Sequence, residues 1–590
     1  MTSRIKLGSA ACVATCLAVA AGLSAHAAAL GSNPCQNTAG AVAVGAAQWN
    51  GWGRDLDNSR YQPEPAIRAS DVPKLRLKWA YGYEGNVVYG QPTVVDGRLF
   101  VTSSSGRVYA LDAKTGCTFW TFDAAAGTRT AVSVGELAAP RQRLLLKKLK
   151  RTNAHIDVDK PPSAVFFGDD SGALYALDAQ RGTLLWKTQV DAHPLARITG
   201  PPTLYRDRLY VPVSSSEEDA AANPAYACCT FRGSLVALDI ATGQIVWKTY
   251  TATQEAKPVR VSRSGAQQYG PAGMAVWSAP TIDPKRDLIY IATGNSYTDI
   301  AQPMADAIVA LDLRDGRPRW TKQATQDDNW VDRCKLAGDG NCPQPLGSDA
   351  DFGASPILRG IPGGRQILLA GQKSGVIYGL NPDRDGDILW QDKIDIGNGP
   401  AGVLWGPAAD YRSIYVAVAG HTITAPVAPV APAAGAADGT AAPATAAPAT
   451  AAASGQAPPV ANTAGGGLIA IEISTGRVRW TVPAPTPACS WGPLNCSHGQ
   501  SQAVTVMPGI VFSGSLDGHL RAYSTIDGKI VWDFDTAKEY VSVNGVKTSG
   551  GSLDHGGPTI VNGMLYVNSG YGKFIGRPGN ALLAFSVDGK

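Results

Sequence analysis

Charge is scarce in this chain. Of its 590 residues only 17% are charged, against about a quarter in an average soluble protein. That is too little charge for a disordered polyampholyte. The 52 basic residues face 48 acidic ones, for a net charge of +4. A nucleic-acid binder needs a concentrated basic face, so no nucleic-acid partner is expected. There are seven histidines and no His-x-x-x-His pair. No phosphate-binding Gly-x-x-x-x-Gly-Lys-Ser/Thr loop and no nucleophile elbow occurs in a credible context. No Cys-x-x-Cys-His is present, which excludes covalently attached c-type haem. Beyond the first 30 residues no stretch reaches the ~20 apolar residues that cross a bilayer, so no stable membrane insertion is expected.

The start of the chain reads as an export signal. Arg4 and Lys6 supply a charged beginning, residues 7–23 an apolar core, and Ala25-His26-Ala27 a small-residue cleavage site. Residues 1–27 are therefore expected to be a signal peptide, with a retained anchor as the alternative. The cysteines agree with export. Leaving out Cys12 and Cys16 in the signal, the remainder is even in number: Cys228 and Cys229 adjacent, Cys334 near Cys342, Cys489 near Cys496, and Cys35 and Cys117 as a possible long-range pair. Spacing alone leaves the connectivity open, but an oxidising compartment is the economical reading. A periplasmic location follows as the expectation.

Glycine and proline are abundant, 66 and 40 residues, well above average usage. Many turns argue for a β-rich body over a helical bundle. The organising feature is a repeat. An alternating apolar strand leads into a turn and then Gly-x-x-x-Trp. The Gly/Trp pairs are Gly116/Trp120, Gly182/Trp186, Gly243/Trp247, Gly316/Trp320, Gly386/Trp390, Gly476/Trp480 and Gly528/Trp532. An eighth strand, Ala581-Leu-Leu-Ala-Phe585, lacks its Trp, and the missing one stands near the other end, in Leu75-Arg-Leu-Lys-Trp79. The expectation is an all-β, eight-bladed β-propeller over residues 45–590, closed by pairing N- and C-terminal strands. Closure removes the exposed edges that make repeated sheets sticky.

Two segments interrupt the ring. Residues 141–151 are basic and leucine-bearing, suited to a solvated loop or helix, with contact to a membrane surface or an acidic partner as the alternative. Residues 425–464 are mostly Ala, Pro, Thr and Gly with one charge, Asp438; such a composition cannot pack a core and is expected to be a disordered insertion.

The segments between repeats carry a resemblance. Trp52-Gly-Arg-Asp-Leu-Asp-Asn-Ser-Arg-Tyr-Gln62 resembles the opening of quinoprotein alcohol dehydrogenases. Ser214-Ser-Ser-Glu-Glu218, Cys228-Cys-Thr-Phe-Arg-Gly-Ser234, Ala370-Gly-Gln-Lys-Ser-Gly375, Gly550-Gly-Ser-Leu-Asp554 and Val567-Asn-Ser-Gly-Tyr571 are similar too. The chain looks like a polyvinyl alcohol dehydrogenase-like protein, a family using pyrroloquinoline quinone (PQQ), over essentially all of residues 45–590.

PQQ is a planar ortho-quinone with three carboxylates. It needs flat surfaces, cations or hydroxyls for its carboxylates, and a divalent cation as Lewis acid. The resemblance implies Ca2+, which takes hard oxygen ligands, with Glu217 as the metal-binding glutamate. Glu218 takes that role if the register slips by one. Asn295 matches the metal-binding asparagine and Trp277 the stacking platform. Lys373 matches a cation at the quinone oxygens, and Thr199 and Ser214 match hydroxyls that hold the cofactor. Arg129 is a weaker candidate for a carboxylate, and the Cys228–Cys229 pair a candidate contact to the quinone.

The chain departs from the family at two places. The adjacent cysteines stand one blade later than in methanol-type enzymes. At the segment Asp327-Asp-Asn-Trp-Val-Asp332 the residue directly after the Trp is Val331, where the family has a basic Asp. Asp332 is the preferred base, with Asp328 as the alternative. The reaction implied is oxidation of an alcohol, secondary and including polymeric ones, with electrons leaving to an external c-type cytochrome. The competing readings are a cofactor-free scaffold propeller of the outer-membrane-assembly type and a PQQ-binding degenerate enzyme or sensor. Deleting residues 425–464 is expected to leave the circular-dichroism spectrum and the unfolding midpoint unchanged; a chain that no longer folds would place that segment in the core.

Overall fold

A computed structural model describes residues 33–590 except 37–39, 46–47, 86–89, 138–146, 148–149, 151–161, 333, 335–340, 395–401, 421–465, 487–488, 493–495 and 573–575. The expected signal peptide and the Ala/Pro-rich insertion lie outside the described residues, as does the basic segment except for Lys147 and Lys150. Among the described residues no helix is long and apolar enough to cross a membrane.

Eight antiparallel sheets form the ring. Blade 1 is built from Thr93–Val95, Arg98–Thr102, Arg107–Asp112 and Thr118–Asp123. The next six blades repeat that order, each chain segment moving from the innermost strand outward. Blade 8 takes three strands from the C-terminal end, Thr559–Val561, Met564–Ser569 and Ala581–Val587, and its outer strand, Leu75–Gly82, from the N-terminal end. The two ends pair antiparallel from Leu75↔Val587 to Gly82↔Ala581. The predicted closure is therefore present, and apolar clusters bridge neighbouring blades around the circle.

The repeat has a direct physical meaning. Each turn glycine adopts a left-handed φ, for instance +71° at Gly182 and +68° at Gly243, which glycine reaches without a Cβ penalty. A Cβ on Gly182 would come within 2.6 Å of Trp120, and one on Gly243 within 2.5 Å of Trp186. From Trp79 to Trp480 each such Trp thus lies on the turn glycine of the following blade, and only Trp532 at the ring closure does not. At five of the joins the ring nitrogen adds a hydrogen bond to the next blade, as where Trp120 Nε1 donates to Ala179 O, Trp186 Nε1 to Ile240 O and Trp532 Nε1 to Leu75 O. The last of these crosses the ring closure.

A strap formed by residues 49–62 runs across the axis and meets the innermost strands of seven blades. Trp49 pairs with Val94 and Asn50 with Val134. The carbonyls of Leu56, Asp57, Ser59 and Arg60 accept from the amides of Ile282, Leu358, Ala409 and Val506, and Gln62 Nε2 donates to Ile560 O. At blade 3 the strap leaves a cavity of about 300 Å3 against Pro202, Thr203 and Leu204. Arg60 is buried under the strap, over the Trp52 and Trp49 rings, and donates to Val504 O and Trp52 O. Trp52 packs with Ala279, Trp405 and Ala503, and with Trp277 and Leu404 above them. The opening motif of the chain is thus an axial plug.

Asn58, 4% exposed, donates to Ala279 O, Pro280 O and Thr281 Oγ1 at 3.2, 3.0 and 2.8 Å. Asn58→Ala strands those acceptors, and a loss of about 2–3 kcal/mol is expected in denaturant unfolding; an unchanged midpoint would show that the plug carries no stability.

Candidate active site at the propeller axis

Above the plug the axis opens into a cavity of about 380 Å3, within the size range of cofactor pockets. Its walls follow a simple rule. Arg129, Thr199, Trp277, Asp351, Trp405 and Asp554 each stand three to six residues before the first strand of their blade. Ser214, Asn295, Lys373 and Tyr571 stand at or just past the end of the second strand. Both positions fall at the same end of the ring, so the blades deliver side chains to one point.

Trp277 forms the flat surface. It meets Trp405 edge-on at 5.6 Å, and the Lys373 ammonium lies 5.4 Å from its ring centre. Glycine makes the space: a Cβ on Gly353 would stand 2.2 Å from the Trp277 ring and 2.6 Å from Leu404 O. Lys373 Nζ donates to Asp349 Oδ1 at 2.7 Å and Asp351 Oδ2 at 2.9 Å. Burial pulls the Lys373 pKa down, but Asp351, Asp349 and Glu218 outweigh it and hold it well above the usual lysine value. Asp351 also accepts from the Asn295 amide at 2.6 Å.

Thr199 and Ser214 share a hydroxyl hydrogen bond of 2.6 Å. Beside them Arg197 is placed by a two-residue strand, Ala196–Arg197, pairing with Ser215 and Ser214. Arg129 lies 5.2 Å from the Trp405 ring, and its Nε is buried with no hydrogen-bond partner among the described residues. A buried guanidinium nitrogen without an acceptor is costly unless an anion completes it. A flat aromatic face, two guanidinium groups and two hydroxyls suit a planar tricarboxylate.

The carboxyl groups differ by environment. Asp332 is pushed up to about 7 by burial and by Asp219 alongside it, with Lys373 opposing. Asp349 is raised to about 6 by burial against the pull of Lys373, and burial lifts Asp554 to about 6. Glu218 stands well above the usual range because of burial and the neighbouring Asp351 and Asp349. Asn295 Nδ2 is spent on Ser296 O and Trp330 O, at 2.9 and 2.8 Å, which leaves Oδ1 as its free oxygen. Hard oxygens from Glu218 and Asn295 suit a calcium-like cation. Among the described residues, no three Asp, Glu, His or Cys side chains converge on one metal position.

Eight of the eleven expected residues line the cavity, but two corrections follow. Glu217 does not face it. Its carboxylate is fully buried and turned outward, where it accepts from the Thr230 and Phe231 amides and from Tyr226 Oη. Of the two adjacent glutamates, Glu218 faces the cavity. Cys228 and Cys229 are disulfide-linked, as are Cys35–Cys117, Cys334–Cys342 and Cys489–Cys496. The adjacent pair is buried in the apolar cluster around Phe231 and Val236 and does not line the cavity. Asp328, the alternative base, does not line the cavity and instead accepts from the Ser348, Asp349 and Ala350 amides. Val331 is fully buried, while Asp332 next to it reaches the cavity. Arg197, Asp349, Asp351, Trp405 and Asp554 escaped sequence reasoning; their positions before strands, or opposite Ser214, were the available signal.

Residues 49–332 match the family model described as glucose/ethanol/alcohol dehydrogenase, beta-propeller domain, and residues 469–590 match outer membrane protein assembly factor BamB. Solved structures with the same fold include the quinohemoprotein alcohol dehydrogenase from Comamonas testosteroni. It has a TM-score of 0.57 and 18% identity, covering 92% of this chain and 81% of that one. A europium-containing methanol dehydrogenase has a TM-score of 0.58 and 18% identity, covering 92% and 98%. The propeller is thus of the quinoprotein dehydrogenase type. Two polyvinylalcohol dehydrogenases are far nearer in sequence. That of Pseudomonas sp is 44% identical, covering 92% of this chain and 77% of its own. That of Sphingopyxis sp. (strain 113P3) is 42% identical, covering 94% and 79%. The chain belongs to the polyvinyl alcohol dehydrogenase family of PQQ-dependent alcohol dehydrogenases.

Gly353→Ala is expected to displace Trp277 and weaken PQQ binding at least tenfold by calorimetry, with folding retained; unchanged affinity would remove Trp277 from the cofactor surface.

Proposed function

We propose that this enzyme works in the periplasm and oxidises secondary alcohols, polymeric ones such as polyvinyl alcohol included. PQQ and Ca2+ would be bound together in the axial cavity, with electrons passed to an external c-type cytochrome. The observation that carries the reading is the unsatisfied Arg129 Nε in a cavity floored by Trp277. The names of the two polyvinylalcohol dehydrogenases support the polymeric substrate. Residues 1–27 and the four disulfides support export. The lack of any Cys-x-x-Cys-His supports a separate haem carrier.

PQQ, when bound, supplies the two-electron acceptor for hydride. Trp277 fixes the ring plane, and Arg129, Arg197, Thr199 and Ser214 orient the carboxylates. Lys373, held by Asp349 and Asp351, places positive charge over Trp277 at the quinone oxygens. Glu218 and the Asn295 Oδ1 hold the cation. Asp332 takes the hydroxyl proton as hydride leaves the substrate carbon; a carboxyl raised to about 7 suits a base working near neutrality. Trp405 and the plug below exclude water from the floor.

The test is titration of the chelator-treated protein with PQQ, with and without Ca2+, alongside dye reduction with secondary alcohols and polyvinyl alcohol. Calcium-dependent binding with turnover is expected. Asp332→Asn should lower kcat by about 10²–10⁴-fold at nearly unchanged PQQ affinity. Binding without turnover of any alcohol would favour the degenerate enzyme, and turnover unaffected by Asp332→Asn would remove Asp332 as base.

A further inference from the structure

Glu217 is the one expected metal ligand that the fold turns away from the cavity, yet it is the most heavily bonded carboxylate near the site. It is completely buried. Oε1 accepts from the Thr230 amide at 2.8 Å and from Tyr226 Oη at 3.0 Å, and Oε2 from the Phe231 amide at 2.8 Å. The His193 ring stands 3.5 Å away. The Leu195 amide donates to His193 Nδ1, so the ring proton is on Nε2, which faces Thr230 Oγ1 at 3.0 Å.

These contacts join three separate stretches of chain. The first is the one-turn helix Glu217–Ala220, whose next two side chains, Glu218 and Asp219, line the cavity. The second is the loop following the Cys228–Cys229 disulfide, which presents two consecutive amides to one carboxylate. The third is the segment after His193, which carries Arg197 and Thr199 into the cavity. A four-residue helix has too few internal hydrogen bonds to fix its own rotation. Adjacent side chains on a helix point about 100° apart, so the outward anchoring of Glu217 is what directs Glu218 inward.

We propose that Glu217 is a positioning residue. Its buried carboxylate clamps the disulfide loop and the His193 segment to the helix, and thereby aims Glu218 at the cation and Arg197 and Thr199 at the cofactor. The inference rests on the reading of the cavity as a cation and PQQ site. Partners that orient metal ligands from behind typically change affinity 10–100-fold when removed.

Tb3+, an oxygen-seeking ion with luminescence excited through nearby tryptophan, serves as the probe in the presence of PQQ. Its lifetimes in H2O and D2O count the waters left on the bound ion. Glu217→Gln is expected to bind Tb3+ 10–100-fold more weakly than wild type, with the same number of waters. Glu218→Gln is expected to add bound water. Tyr226→Phe, which removes a single donor from Glu217, should weaken binding in the same direction by a smaller factor and guards against a Glu217 variant that does not fold.

Wild-type affinity in Glu217→Gln would overturn the proposal. So would extra bound water in Glu217→Gln with none gained in Glu218→Gln, since Glu217 would then be the ligand. Failure of the wild type to take up either PQQ or Tb3+ would instead overturn the underlying reading of the cavity, and the clamp with it.

Discussion

The contact on which the rest of the molecule depends is a tryptophan ring laid on the turn glycine of the next blade. It recurs around the circle, from Trp79 on Gly116 to Trp480 on Gly528. At blade 8 it is replaced by the bond from Trp532 to the Leu75 carbonyl. A ring of sheets has no single core. Its rigidity comes from the joins between blades, and each join needs a bulky side chain on one side and a missing Cβ on the other. Because the join is the same each time, the inner strand ends arrive at one height, and the side chains before and after them meet on the axis.

The axis needs a second constraint, since an eight-bladed ring would otherwise leave a channel. The strap at residues 49–62 fills it, and the Trp52 layer beneath Trp277 and Trp405 turns the channel into a closed-floored pocket. The mixed charge of that pocket then has a function. Lys373 lies between Asp349 and Asp351 over the Trp277 ring, Arg129 stands over Trp405 and Arg197 pairs with Ser214, and the carboxyls of Glu218 and Asp332 are held in a buried setting that lifts them above their usual range. Such an arrangement is poor for stability and suited to binding a planar anion together with a cation.

The fold was legible because its signal is local and periodic: Gly-x-x-x-Trp specifies a turn and a join within five residues. The lining of the cavity was largely legible too, because Trp277, Lys373 and Asn295 sit in short motifs tied to strand ends. The choice between Glu217 and Glu218 was not legible. It depends on amides at Thr230 and Phe231, beyond an intervening loop, and adjacent residues on one helical turn point about 100° apart. Asp349 and Asp351 stand in no motif of their own; they are carried by a loop that Asp328, in the segment around Trp330, holds in place. Likeness to the family makes the Cys228–Cys229 disulfide a cofactor surface, whereas the pair lies in the core beside Phe231.

The central claim is that the axial pocket over Trp277 is the cofactor site, and the structure of the PQQ-loaded protein tests it most directly. The account predicts the tricyclic ring lying on Trp277, a cofactor carboxylate at Arg129 Nε, and Glu218, not Glu217, among the oxygens facing the cation. PQQ bound away from the axis, or bound there with Trp277 out of contact and Arg129 Nε still without an acceptor, would contradict it.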